Sequence, residues 1–142
     1  MMKKALPALC ALILALASLP NLQANDSPNV VLFYIDDMGY ADIGPFGAEH
    51  PTPHLDRLAD EGRRFTDFIV TAPVCSSSRA SLLTGSLHKR VGVSGAYFPT
   101  DETGLNPEEV TLAELFKQKG YATACYGKWH LGHHPKFLPT NQ

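Results

Sequence analysis

Two consecutive carboxylates, Asp36 and Asp37, stand directly behind the unbroken apolar run Asn29 to Ile35 (NVVLFYI). Adjacent acids repel unless a cation or base lies between them, and hard divalent ions favour such oxygen ligands. A solvated turn, or a carboxylate capping a backbone group, uses the same pair, so the pair alone decides nothing. A second candidate lies in Pro73 to Gly85 (PVCSSSRASLLTG), where Cys75 precedes a hydroxyl-rich helix start and Arg79 follows one turn later. Backbone N–H groups at a helix N-terminus favour a bound anion, and a guanidinium at the same end adds to that preference. A nucleophile at Cys75 would face an anionic substrate. A disulfide between Cys75 and Cys125, or a buried thiol beside a Ser-capped helix, are the blander readings.

The elements that must position these groups alternate. Asn29 to Ile35 suits a strand buried on both faces of a parallel sheet. Thr52-Pro53 opens a helix through Ala59, with Thr as N-cap, Leu55, Leu58 and Ala59 on one face and Gly62 at the end. Phe65 to Val70 reads as a second strand, and a helix from about Ser76 to Leu83 closes at Gly85. Gly92 to Gly104 is rich in Gly, Pro and Thr and reads as a surface loop. Asn106-Pro107-Glu108-Glu109 starts another helix, with Leu112, Leu115 and Phe116 as its stripe and Gly120 as its end. Tyr121 to Tyr126 gives a third strand. This order predicts an α/β sheet with ligands at the carboxyl ends of its strands. Asp36, Asp37, Cys75, Lys128 and His130 all follow strands and converge on one edge in this reading.

The first residues belong to no core. Lys3 and Lys4 precede an apolar run from Ala5 to Ala17, and the segment to Ala24 carries Pro20 and ends in a small residue. That layout predicts a signal peptide over 1–24 and a secreted or periplasmic protein. The run falls short of the roughly 20 residues a spanning helix needs, which argues against stable membrane insertion. Removing it takes away two lysines and no acid, so the formal charge moves from −2 to −4. A mildly acidic chain is a poor nucleic-acid binder.

Four blocks together resemble the sulfatases of the alkaline phosphatase superfamily. The signature Cys, any residue, Pro, Ser, Arg, ending in Leu-Thr-Gly, is matched by Cys75 to Arg79 and Leu83 to Gly85. A second signature appears as Gly120-Tyr121-Ala122-Thr123 and Gly127-Lys128-Trp129-His130. Val30 to Asp37 matches the opening strand with its two acids, and Thr52 to Leu58 the Thr-Pro-x-Leu-Asp-x-Leu helix. The resemblance covers most of residues 29 to 139. Ser77 departs from it, standing where the signature has Pro, as do Ser86 in place of Arg and Tyr126 in place of a small or aliphatic residue.

The resemblance implies the N-terminal part, 25–142, of an alkaline-phosphatase-like sandwich with a mostly parallel sheet flanked by helices. It implies that Cys75 is oxidised by a formylglycine-generating enzyme to an aldehyde whose hydrate attacks sulfur, with a second hydroxyl to expel sulfate afterwards. Asp36, Asp37 and the modified Cys75 would hold one divalent ion, calcium in most members. Arg79 would hold these groups in place, Lys128 would contact sulfate oxygens, and His130 would move a proton during release. His133 and His134 are read as loop residues, since a structural zinc site wants four well-spaced ligands.

Family members run on with further metal and sulfate ligands that residues 1–142 do not contain, so this stretch alone is expected not to turn over substrate. The substrate implied is a sulfated small molecule or glycan. Two other readings remain at this stage: a phosphate or phosphonate ester hydrolase of the same superfamily, and a non-catalytic secreted binding module held by a Cys75–Cys125 disulfide.

Overall fold

A computed structural model describes residues 27–141. The expected signal peptide, with Cys10, lies outside the described residues. The chain divides into two units, Met1–Ile35 and Asp36–Gln142.

In the first unit, the apolar run before the two acids carries no secondary structure, and Val31 and Phe33 are 72% and 81% exposed. The same holds in the second unit for Phe65 to Val70 and Tyr121 to Tyr126, where Ile69 and Tyr126 are largely exposed. The three expected strands, and with them the sheet, are therefore absent among the described residues. A β-branched run becomes a strand only when a neighbour accepts its ladder hydrogen bonds, and none of these three segments finds one here.

Three helices of the second unit follow the punctuation of the sequence. Helix α1, Pro53–Glu61, starts after Thr52 and stops at Gly62. The Thr52 hydroxyl does not cap its own helix; it accepts from the Gly44 N–H at 2.8 Å and donates to Asp56 at 3.1 Å. Helix α2, Cys75–Thr84, ends at Gly85, whose φ of 65° is the left-handed turn that glycine adopts without a Cβ penalty. Helix α3, Leu112–Gln118, begins later than its Asn-Pro signal suggested. Asn106 to Glu109 forms a separate turn, with the Glu109 N–H bonding the Asn106 carbonyl. The start falls instead at Thr111, where a reciprocal capping box with Glu114 satisfies two orphan donors. Phe116 of α3 meets Tyr121 edge-on at 5.0 Å.

The core is small: Ala80, Val91, Val93, Leu105 and Leu131, flanked by Leu83, Tyr97 and Trp129. Val93 is fully buried, so the Gly92 to Gly104 stretch, expected on the surface, instead sends a residue inward. Helix α2 enters this core with little apolar surface, because Ser76, Ser77, Ser78 and Ser81 are buried beside Ala80. Buried hydroxyls need partners, and two of the four find theirs on the loop that crosses the helix, while the Ser78 hydroxyl turns back to the Cys75 carbonyl at 3.3 Å. The Ser77 hydroxyl donates to the Gly95 carbonyl at 3.3 Å, and the Ser76 hydroxyl accepts from the Tyr97 N–H at 3.1 Å.

Phe137 closes the far side, seated against Gly104 and Gly132. A Cβ on Gly104 would stand 2.5 Å from the Phe137 ring, and one on Gly132 would stand 2.6 Å from the Phe137 Cβ. The Phe137 carbonyl accepts from the Trp129 indole N–H at 2.7 Å, and the Leu105 N–H bonds the Leu131 carbonyl at 2.8 Å. Residues 129 to 132 are thus pinned from two directions.

Candidate active site

Cys75 is the first residue of α2, half-buried, and its Sγ is a free thiol. Cys125 is exposed and also free, so the disulfide that would have defined a binding module is not formed. One turn into the helix, Arg79 donates from one guanidinium nitrogen to the Lys128 carbonyl and faces Asp36 with the other at 3.6 Å. Lys128 places its ammonium 2.6 Å from the second Asp36 oxygen. One carboxylate thus gathers two cations carried by chain segments 43 and 92 positions away in sequence.

The charges answer to this arrangement. Hydrogen bonding from Lys128, followed by the positive charges of Lys128 and Arg79, holds the Asp36 carboxyl below its ordinary value despite some opposing desolvation. The bond to Asp36 pushes the Lys128 ammonium above its ordinary value, with the negative charge of Asp36 adding to it. Lys128 therefore stays cationic at neutral pH. Its side chain is 48% exposed, so the positive charge remains open to an incoming anion.

Asp37 adopts a φ of 60°, a left-handed conformation that Asp tolerates better than most residues, and it is exposed. His130 has a φ of 58° and keeps it because its neighbours are held: the Lys128 carbonyl by Arg79, the Trp129 indole by Phe137. The His130 Nε2 lies 2.6 Å from the Tyr97 carbonyl, and its Nδ1 is buried without a hydrogen-bond partner among the described residues. The His133 ring stands 6.3 Å from that of His130, and His134 caps the last short turn, Pro135–Phe137.

Of the sequence-chosen residues, the structure brings Asp36, Arg79 and Lys128 into direct contact and sets Cys75 beside them. The contacts of His130 are with Tyr97 and His133 rather than with the Asp36 cluster. Ser76, Ser77 and Tyr97 escaped the sequence reading as positioning groups. The run of serines was a visible signal for Ser76 and Ser77, but a backbone carbonyl such as that of Tyr97 leaves none.

As metal ligands, Asp36 and Asp37 have the right chemistry, since both are hard carboxylate donors. Among the described residues no group of three or more His, Cys, Asp or Glu side chains converges, and a calcium shell takes about six to eight oxygens. The pair fits one wall of a hard-cation site. That the Lys128 ammonium settles on Asp36 shows the same acceptor drawing a cation.

The sulfatase family model matches residues 28–139. The chain belongs to the sulfatase family. It is 49% identical over 138 residues to human arylsulfatase A, covering 93% of this chain and 26% of that protein. To mouse arylsulfatase G it is 51% identical over 113 residues, 79% of this chain and 22% of that one. To pig N-acetylgalactosamine-6-sulfatase it is 44% identical over 137 residues, 90% and 26% of the two chains. Among solved structures, one titled Ps i-CgsB superposes with a TM-score of 0.71 at 34% identity, over 75% of this chain and 24% of that one. Another, titled for glycosaminoglycan metabolism by Bacteroides thetaiotaomicron, gives 0.65 at 40% identity, over 71% and 21%. The chain spans about a quarter of the length of the curated relatives it matches. Its structural neighbours are proteins in which the same stretch is one part of a larger fold.

Proposed function

We propose that the protein hydrolyses sulfate esters, aryl or carbohydrate, with a formylglycine made from Cys75 as its nucleophile. The observation that carries this reading is the Asp36–Arg79–Lys128 cluster beside Cys75, in a chain of the sulfatase family. The aldehyde, as its hydrate, supplies an attacking oxygen and a second hydroxyl for releasing sulfate, and a divalent ion, calcium in this proposal, held by Asp36, Asp37 and the modified Cys75 supplies positive charge.

The chain's own residues prepare the ground for that chemistry. Lys128 presents an ammonium to sulfate oxygens, and its bond to Asp36 keeps it charged. Arg79 fixes the Lys128 backbone and the Asp36 carboxylate from the helix that carries residue 75, so nucleophile and anion-binding group move as one body. The first turn of α2 adds backbone N–H groups that favour an anion. His130, held in its strained backbone conformation, is the group to which this reading gives the task of taking and returning a proton.

The same proposal extends to architecture and maturation. Asn29 to Ile35, Phe65 to Val70 and Tyr121 to Tyr126 become strands of a mostly parallel, helix-flanked sheet in the whole protein, which would cover their exposed apolar side chains. Residues 1–24 direct export to a secreted or periplasmic location, and a formylglycine-generating enzyme acts on Cys75 before folding. The relatives named for arylsulfatase and N-acetylgalactosamine-6-sulfatase activity, and a neighbour crystallised with a neocarrahexaose, support a sulfated aromatic or glycan as substrate.

Rates of the whole protein on nitrophenyl sulfate and nitrophenyl phosphate test the reading. Sulfate hydrolysis should exceed phosphate hydrolysis. Faster phosphate hydrolysis would overturn it.

A further inference from the structure

The first turn of α2 and His130 are far apart in sequence, yet one short stretch of loop touches both. The Tyr97 N–H donates to the Ser76 hydroxyl at 3.1 Å, and the Tyr97 carbonyl meets the His130 Nε2 at 2.6 Å. Two residues earlier, the Gly95 carbonyl accepts from the Ser77 hydroxyl at 3.3 Å. Ser76 and Ser77 are 0% and 1% exposed, so water does not compete for these hydroxyls. Residues 95 to 97 therefore form a strap, tied at two points to the helix that begins with Cys75 and at one point to the imidazole.

A carbonyl oxygen can only accept a hydrogen bond. With Tyr97 as its partner, Nε2 must carry the hydrogen, which leaves Nδ1 of the neutral ring with the lone pair. That Nδ1 is buried and has no other partner among the described residues. We propose that Ser76, acting through Tyr97, is a positioning residue that fixes His130 in the Nε2–H tautomer and so makes Nδ1 the nitrogen that exchanges a proton with the reacting groups. Ser77 is a second tie of the same strap. A proline at position 77 would keep the helix start but lose the bond to Gly95, so in this chain the strap is held by a hydroxyl that the common signature lacks.

The kinetic part of this proposal rests on the sulfatase reading above; the tautomer does not, and the two are measured separately. In the ¹⁵N-labelled 142-residue chain, long-range ¹H–¹⁵N correlation spectra at a pH above the imidazole titration report the tautomer directly. The expected pattern is a protonated, pyrrole-type Nε2 and an unprotonated, pyridine-type Nδ1 at His130. A protonated Nδ1 in the unsubstituted chain overturns the proposal whatever the activity proves to be.

Ser76→Ala should convert the pattern to a mixture of tautomers, and Ser76→Thr, which keeps the hydroxyl, should restore it. In the whole protein Ser76→Ala should lower kcat about tenfold with KM within about twofold, a part of the roughly 10²- to 10⁴-fold that a positioned acid or base contributes. Loss of a merely structural contact would leave the tautomer of the folded chain unchanged, and that result would overturn the role of Ser76. An absence of sulfatase activity in the unsubstituted protein would refute the proposed function while leaving the tautomer test intact.

Discussion

Gly104→Ala probes the clamp that holds the Lys128 to Gly132 segment. The added methyl would lie 2.5 Å from the Phe137 Cγ and 2.6 Å from the Leu131 carbonyl oxygen. Phe137 is 6% exposed and has little room to retreat, and the carbonyl is engaged by the Leu105 N–H at 2.8 Å. Overpacking of this kind costs about 1–3 kcal/mol. A shift of Phe137 also disturbs its bond from the Trp129 indole, worth about 0.5–1.5 kcal/mol. Replacing glycine by alanine returns about 0.4–1 kcal/mol by restricting the unfolded chain. The net expectation is a loss of about 1–3 kcal/mol. Urea unfolding followed by Trp129 fluorescence reads it as a midpoint lower by on the order of 1 M, given an m-value of about 1–3 kcal/mol per molar. Gly95→Ala is the internal control, because nothing lies within 4 Å of its added Cβ, and it should stay within about 0.5 kcal/mol of the parent. A Gly104→Ala chain as stable as the parent, or a Gly95→Ala chain equally damaged, would refute the clamp.

Other outcomes follow from the same geometry. Bonds from the Thr111 N–H and hydroxyl, at 2.6 and 2.8 Å, hold the Glu114 carboxyl below its ordinary value of 4.5. The folded-state pKa is depressed, so this stabilisation is present above pH 4.5 and is lost as pH falls through the lower folded value. Circular dichroism should show Glu114→Gln flattening that acid dependence, and Thr111→Ala should cost about 1 kcal/mol at neutral pH. Chelation should inactivate the whole protein and calcium should restore it, with Asp37→Asn raising the calcium concentration required; activity indifferent to chelator would remove the metal from the account.

How far the sequence carried depended on what each element needed. Helices α1 and α2 were readable because their signals are local: Thr52-Pro53 with Gly62, and a hydroxyl-rich start with Gly85. Helix α3 was displaced because Asn106-Pro107 and Thr111-x-x-Glu114 are both helix-start signals, and the reciprocal bonds of the second prevailed over the turn formed by the first. Strands are not local objects. Asn29 to Ile35 has the right composition, but a ladder needs a second segment in register, and none of the described residues supplies it. The site divides in the same way. Asp36, Cys75, Arg79 and Lys128 were legible as residue types within familiar motifs, whereas the part played by Tyr97 is that of a main-chain carbonyl, which any residue there would present. The packing of Phe137 on Gly104 and Gly132 was equally silent, since it pairs positions whose closeness only the folded chain reveals.

The central claim is that the sulfur at Cys75 is replaced by an aldehyde oxygen in the mature protein. Trypsin should release Phe65 to Arg79 as one peptide, and mass spectrometry of the secreted whole protein should find it about 18 Da lighter than the thiol form, since SH and H give way to a carbonyl oxygen. A fully active sulfatase whose peptide keeps an intact thiol, or is linked to the Cys125 peptide, would contradict the account.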